Sequence, residues 1–270
     1  MNFLLWNTHG KNLGGMIARI AIYKDVDFIV LCEAEDHCQQ ILLALNTSSS
    51  AMFYLANTIG CERITLFTRF KPEFCIAIEE TSRFTIRHVC LPGLDSFVLV
   101  AAHLPSRLYA DENDQHGHCM DLSTAIRRVE GQVGHERTIV MGDLNLDPFS
   151  PGMTSAKGLN AVMSLKQALK RSRSFNGEKY PLFYNPMWSH FGDLPNGPTG
   201  TYFRDSNGLC DTFWHMIDQV LFRPDVAIRF LSSSLEILTT DGQNSLIHPK
   251  GHPDKRKASD HLPVTFSVSL

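Results

Sequence analysis

The chain has 270 residues, a formal net charge of −3 and an apolar content of 43 %. That length buries a large core without a metal or disulfide staple, and the charge balance excludes a sequence-blind coating of nucleic acid while leaving room for a local basic groove. Seven cysteines without a CxxC pair point to reduced thiols and a cytoplasmic setting. Cys32, Cys75 and Cys90 stand in apolar surroundings and are expected in the core. Phe3-Leu4-Leu5-Trp6 is too short for a signal h-region and lacks a basic flank, and no apolar run approaches a membrane span. A soluble protein, monomeric by default, is expected.

Taken in order, Asn2 to Trp6 reads as a buried strand followed by Asn7-Thr8-His9-Gly10. Residues 14 to 24 carry Met16, Ile17, Ile20 and Ala21 at helical spacing. Asp27 to Cys32 is a second buried strand with Glu33 at its end, and a helical pattern resumes over 36 to 45. From 51 to 102 the texture becomes short β-rich runs (51–56, 63–68, 74–79, 84–91, 97–102) between Gly, Pro and Asn breaks, which predicts an antiparallel meander. The last run ends in His103. A polar, His-rich loop is expected over 111 to 118, then a helix over 120 to 134.

Thr138-Ile139-Val140-Met141 is a further strand, closed by the sharp turn Gly142-Asp143-Leu144-Asn145-Leu146-Asp147-Pro148. A helix near 159 to 170 ends in Lys170-Arg171-Ser172-Arg173, and an aromatic, Pro-rich loop follows with Tyr184, Trp188 and Phe191. Strands are expected at 199–204 and 214–223, the second carrying Asp218, with short ones at 228–231 and 235–238. The tail alternates Val264, Phe266, Val268 and Leu270 directly after Ser259-Asp260-His261. One domain over 1–270 is expected, consistent with two sheets packed face to face and flanked by helices.

Asn7, Glu33, His103, Asp143 and Asn145 all sit just after predicted strands. Asp260 and His261 sit just before one, and Asp218 lies within another. Alone, each is an ordinary turn residue. Together they can gather at one rim. Carboxylates converging there would repel by roughly 4 kcal/mol per pair at about 4 Å and an effective dielectric near 20, so either their pKa values rise or a divalent cation neutralises them. Oxygen ligation by Glu33 and Asp260, helped by Asn7, suits Mg²⁺ or Mn²⁺ better than Zn²⁺. A metal flanked by histidines suits phosphodiester hydrolysis.

The segments LWNTHG, DFIVLCEAE, AAHLPS, IVMGDLNLDP, HMIDQVLFRP and ASDHLPVTF resemble the ordered motifs of the endonuclease/exonuclease/phosphatase family, which spans deoxyribonucleases, abasic-site endonucleases and inositol-phosphate 5-phosphatases. The resemblance implies an α+β fold, a four-layer αββα sandwich of mainly antiparallel sheets. It implies Glu33 as principal metal ligand with Asn7 and Asp260 beside the ion. Asp143 and Asn145 would direct the attacking water, and His261 would contact the scissile phosphate, oriented by Asp218. His103 would be supported by Glu62 of the Glu62-Arg63 pair, as Asp218 supports His261. His9 departs from the pattern, where many members carry Asp.

The loop from His248 to Lys257 leads into the Ser-Asp-His motif. Its Lys255, Arg256 and Lys257, with Arg63, Arg107, His9 and the 170–173 cluster, are candidates for gripping a second phosphate. Trp188 is a candidate stacking surface for unpaired bases. Three functions follow: a metal-dependent nuclease cutting DNA or RNA, a phosphoesterase acting on a small ester such as an inositol phosphate, lipid headgroup or nucleotide, and an inactive partner-binding domain. The complete set of Glu33, Asp143, Asn145, Asp260 and His261 argues against the third, and the basic and aromatic loops lean towards the first.

Overall fold

A computed structural model describes residues 1–49, 51–56, 58–106, 110–192, 197–206 and 211–270. The first third of the chain contains β1 (Asn2–Asn7), α1 (Gly14–Tyr23), β2 (Phe28–Cys32), α2 (Cys38–Ser48), β3 (Tyr54–Leu55) and β4 (Ile64–Thr68). Next come β5 (Cys75–Glu80), β6 (Phe84–Val89), β7 (Phe97–His103), α3 (Glu112–Val133) and β8 (Thr138–Asp143). The remainder holds α4 (Pro151–Thr154), β9 (Ala161–Val162), α5 (Leu165–Ala168), β10 (Ser172–Phe175), β11 (Glu178–Pro181), β12 (Phe183–Tyr184), β13 (Tyr202–Phe203) and β14 (Trp214–His215). It closes with β15 (Asp218–Phe222), α6 (Pro224–Ala227), β16 (Glu236–Ile237) and β17 (Val264–Ser267).

Two mixed sheets flanked by helices result. One has the order β16-β17-β1-β2-β4-β3 and the other β5-β6-β7-β8-β15-β12-β9. The pairs β1–β2 and β7–β8 are parallel, and most others are antiparallel. Strands β1, β2, β7 and β8 are apolar and buried along nearly their whole length, as central strands covered on both faces must be. Between the sheets, Phe3 stacks on Phe28 and Phe266 at 5.4 and 4.8 Å and meets Phe97 of the facing sheet edge-on at 6.3 Å. Outside the second sheet, α3 buries Leu122, Ile126 and Val129 against Ile86, Val100 and Val140. The expected α+β sandwich is the fold found.

Several local expectations are corrected. The β-rich stretch 51–102 is not one meander: β3 and β4 join the first sheet while β5, β6 and β7 build the second. A 3₁₀ turn at Pro72–Phe74 carries the chain across. The expected loop 111–118 is the start of α3. Asp111 caps it by accepting the Asp114 N–H at 2.9 Å, and Asp114 reaches back to the Asp111 N–H. This reciprocal capping box satisfies orphan donors that the polar composition concealed. The helix expected at 159–170 reduces to β9 and the single turn of α5. The strand expected at 214–223 divides between the β13–β14 ribbon and β15, and 228–231 contributes only a Phe230–Val268 bridge. Cys90 is exposed, whereas Cys32 and Cys75 are buried as expected.

Gly142 of β8 lies directly beside Ala102 of β7 in register. A Cβ there would overlap the Ala102 carbonyl, so only glycine lets these two strands approach this closely. On the outer side, Arg223 is almost wholly buried and donates to both carboxylate oxygens of Glu130, at 2.8 and 3.1 Å, with its guanidinium over the Phe183 ring. Glu130 also accepts the Thr138 hydroxyl at 2.6 Å. Replacing one partner leaves the other charge buried alone. Glu130→Gln should therefore lower the unfolding free energy in urea by about 3–5 kcal/mol; a change under about 1 kcal/mol would show that this pair does not hold α3 to the sheet.

Candidate active site

The strand pattern brings polar ends together at one rim. His103 closes β7, Asp143 closes β8, and Asp218 opens β15; the three lie side by side in register across the second sheet. Asn7 closes β1, and Glu33 follows β2, its parallel neighbour. The two sheets meet here through polar contacts. The Asn7 amide donates to Asp143 Oδ2 at 2.8 Å and weakly to Glu33 Oε1 at 3.5 Å. Among the described residues, eight other than glycine have a positive φ, and His9, Glu33 and Asn145 are three of them. Such strain gathers where side chains must be aimed rather than packed.

A cavity of about 910 Å³ opens at this rim. Of the residues singled out in the sequence, Asn7, His9, Glu33, Arg63, His103, Asp143, Asn145, Asp260 and His261 line it. Asp218 stands behind them, fully buried, and accepts from His261 Nδ1 at 2.8 Å. The Ser259 hydroxyl donates to the Asn7 carbonyl at 2.6 Å, and the Trp6 indole donates to the His261 carbonyl at 2.9 Å. Those bonds fix the Ser-Asp-His segment against β1. Asn145 accepts nothing through its amide nitrogen, which donates to the Leu104 carbonyl at 2.9 Å, while its backbone N–H is held by Asp143 Oδ1 at 3.0 Å. The asparagine oxygen is thereby left as the group able to engage a ligand. Gln115 of α3 donates to the carbonyls of Pro105 and Asn145, tying both loops down.

Burial raises the Asp143 carboxyl to about 7, and the neighbouring Asp218 charge adds to it, against the opposing effects of His261 and the Asn7 and Asn145 hydrogen bonds. For His261, burial favours the neutral ring, but the charge and hydrogen bond of Asp218, with Asp143 and Asp260 behind it, prevail and raise the imidazole to about 10. His103 goes the other way. Burial outweighs the pull of Glu33, and Arg63, His261 and Arg83 reinforce it, holding this ring down to about 4. At neutral pH His261 is thus an imidazolium and His103 a neutral imidazole.

The pairing expected between Glu62 and His103 does not form. Glu62 is exposed and outside the cavity, and among the described residues His103 Nδ1 has no hydrogen-bond partner. Glu62 and Arg63 form the turn that leads into β4, which presents Arg63 to the cavity and leaves Glu62 outside it. His103 Nε2 instead faces Glu33 at 3.6 Å and Asp143 at 3.7 Å. Trp188 is likewise outside the cavity: its loop folds into a small aromatic cluster with Phe149 and Phe191. Lys255, Arg256 and Lys257 are exposed and line no part of it. Their loop is held beside the cavity by Lys11, which donates to the Lys255 and Ala258 carbonyls, and by His252 stacking on Phe203 at 5.2 Å. In the 170–173 cluster, Arg171 pairs with Asp225 and Arg173 with the Thr154 carbonyl, away from the rim. Arg107 lies outside the described residues.

The sequence reading missed Tyr202, Arg83, Arg204, Asp147, Asp211 and His215, all of which line the cavity. Tyr202 bridges to His261, with ring centroids 4.7 Å apart. His215 Nδ1 contacts Asp147 Oδ2 at 3.0 Å and Nε2 faces Asp211 at 3.5 Å, and the Asp147 hydrogen bond raises this imidazole too. Asp147 was legible as the last acid of the Gly-Asp-Leu-Asn-Leu-Asp turn; the others carry no local signal.

The model of the Endonuclease/Exonuclease/phosphatase family matches residues 3–261. The chain belongs to this family. Solved structures with the same fold include truncated TDP2 of Caenorhabditis elegans, 17 % identical over 98 % of this chain and 96 % of that one, with a TM-score of 0.57. TDP2 of D. rerio, complexed with single strand DNA product, is 15 % identical over 100 % and 99 % at 0.58. The 3′ phosphatase NExo of Neisseria, bound to product DNA hairpin, is 14 % identical over 100 % of both chains at 0.55. At these identities the likeness is one of fold. No curated protein gives a significant sequence match.

Two acidic groupings at this family member's rim compete as cation sites. Asp143, Asp218 and His261 offer ligand atoms within 4.8 Å of one another. In that trio Asp218 already accepts from His261 Nδ1 and Asp143 from the Asn7 amide. Glu33 and Asp260 form the open edge, their side chains 31 % and 19 % exposed, with long contacts to His103 and His9 at 3.6 and 3.3 Å. No lysine or arginine pairs with Glu33, Asp143 or Asp260 among the described residues. An all-oxygen edge without a protein cation fits a hard divalent ion.

Because the folded His261 value lies above the ordinary 6.5, the Asp218–His261 pair contributes stability that is fully present below about pH 6.5 and is lost as pH rises towards about 10. Asp218→Asn should remove that dependence and bring the His261 titration, followed by NMR, below neutrality. A His261 midpoint left above pH 8 in the variant would show that Asp218 does not hold the proton.

Proposed function

We propose that the protein is a divalent-metal-dependent phosphodiesterase that cuts nucleic acid, with Mg²⁺ or Mn²⁺ held by Glu33, Asp260 and the Asn7 amide. The observation that supports this reading is the convergence of the Asp143–Asn145 turn and the Asp218–His261 pair on the same cavity as the acidic Glu33–Asp260 edge. The DNA named with the D. rerio and Neisseria structures agrees with a nucleic-acid substrate. The six described cysteines are free thiols, in keeping with work in the cytoplasm. No described helix is long and apolar enough to cross a membrane.

Asp143 and Asn145 orient the attacking water. The Asp143 carboxylate takes its proton as the new P–O bond forms, and a group raised to about 7 is matched to that task near neutral pH. His261, protonated and braced by Asp218, stands against the negative charge that builds on the phosphoryl oxygens. His103, kept neutral, offers an N–H to the departing oxygen without adding charge. Bound at Glu33 and Asp260, the cation supplies charge neutralisation and Lewis acidity towards the phosphate.

Incubation with single-stranded and duplex oligonucleotides and with inositol phosphates, in Mg²⁺ or Mn²⁺ and then in chelator, tests the reading. Cleavage of oligonucleotides that chelator abolishes is expected, and Asp143→Asn and His261→Ala should each lose about 10²–10⁴-fold in kcat/KM. Hydrolysis of inositol phosphates alone would overturn the nucleic-acid part, and chelator-resistant cleavage the metal part.

A further inference from the structure

The cavity wall made by Tyr202 and His215 has a second side. These two residues face one another across the β13–β14 ribbon, and Phe203 and Trp214 form the next pair. Successive pairs of a ribbon project to opposite faces. Tyr202 and His215 line the cavity, whereas Phe203 and Trp214 lie outside it. On that outer face four rings follow one another, each nearly parallel to the next. Phe213 stacks on Phe203 with centroids 6.5 Å apart, Phe203 on His252 at 5.2 Å, and His252 on His248 at 4.9 Å. Trp214 closes the side of the run, edge-on to Phe203 at 5.4 Å. A core cluster would be sealed from water, yet none of these five residues is fully buried.

One end of the run is held outward against backbone preference. Phe213 has a φ of 62° and is 47 % exposed. Bulky residues rarely adopt that left-handed state, and it gathers at positions that meet ligands. The Phe213 N–H donates to Asp211 Oδ1 at 2.7 Å, and its carbonyl accepts from the Arg204 N–H at 2.8 Å, which fixes the ring in place. The other end belongs to the basic loop. Asp254, itself buried, accepts from the Arg256 and Lys257 N–H groups at 3.1 and 3.3 Å, so the turn that displays these cations is rigid. Among the described residues no carboxylate pairs with Lys250, Lys255 or Arg256, and only Asp254, at 4.0 Å, faces Lys257. Flat rings beside unmatched cations complement a ligand that is flat-faced and anionic along its length. Nucleic acid with unpaired bases has both properties. In a duplex the bases already cover one another's faces.

We propose that unpaired nucleobases stack on this run, beginning at Phe213, so that the protein takes strands that are single-stranded on one side of the scissile phosphate. This rests on the phosphodiesterase reading above and narrows its substrate to unpaired nucleic acid. The test uses the full chain with Asp143→Asn, so that bound strands are not consumed, and single-stranded oligonucleotides that lack one base at a time. Removing a base within one contiguous set of positions, on one side of the cleavage position found with the unaltered protein, should raise Kd by about 5- to 100-fold, the effect of one base stacked on an aromatic ring. Pairing those positions with a complementary strand should weaken binding in the same way. With Phe213→Leu added, base removal should change Kd by less than about threefold; with Phe213→Trp, which restores a flat ring, the full loss should return.

Binding that is indifferent to base removal at every position, a loss unchanged in Phe213→Leu, or Phe213→Trp behaving as Phe213→Leu does, overturns this proposal, while oligonucleotide cleavage by the unaltered protein leaves the hydrolase reading standing. Absence of both binding and cleavage overturns both.

Discussion

Asp143 and Asp218 occupy facing positions on β8 and β15, so the second sheet brings two buried carboxylates together at its rim. Uncompensated, that juxtaposition would be severely destabilising. One is met by the Asn7 amide from the other sheet and the other by the His261 imidazolium. Each compensation requires its strand to be in place: β1 for Asn7, and the Ser259–His261 segment, itself bonded to β1 through Asn7 and Trp6. The sandwich is therefore held at one level by aromatic packing around Phe3 and Phe97 and at the rim by opposite charges and amides. Apolar contact sets the distance between the sheets, and the polar contacts set their alignment.

The same constraint explains why two histidines a few ångströms from the same acids behave oppositely. His261 donates a short hydrogen bond from Nδ1 to the carboxylate behind it and stays charged. Among the described residues His103 has no partner at Nδ1 and two arginines act on it, so burial decides its state. A histidine beside an acid is thus not automatically a raised one; the bond made by the far nitrogen is what counts.

Much of this was legible in the chain. The buried central strands announce themselves as continuous apolar runs, and the polar residues that end them, from Asn7 to His261, could be named because a strand end is also a sheet rim. What failed depended on facts with no local signature. The His-rich stretch after Asp111 is helical because two aspartates cap it reciprocally. Glu62 could not be separated from Arg63 until the turn that carries them into β4 was fixed in space. Trp188 has the composition of a binding loop, yet its ring is occupied by Phe149. Tyr202, Arg83 and His215 reach the cavity through the bridge to His261, a backbone bond to His103 and a short ribbon, contacts that spacing along the chain does not encode.

Asn7 and His261 belong to segments at opposite ends of the sequence, and β1 finds its antiparallel neighbour only in β17. During translation the acids of β8 emerge long before the residue that carries their counter-charge. A nascent polypeptide therefore lacks a working centre until β17 has left the ribosome and paired with β1.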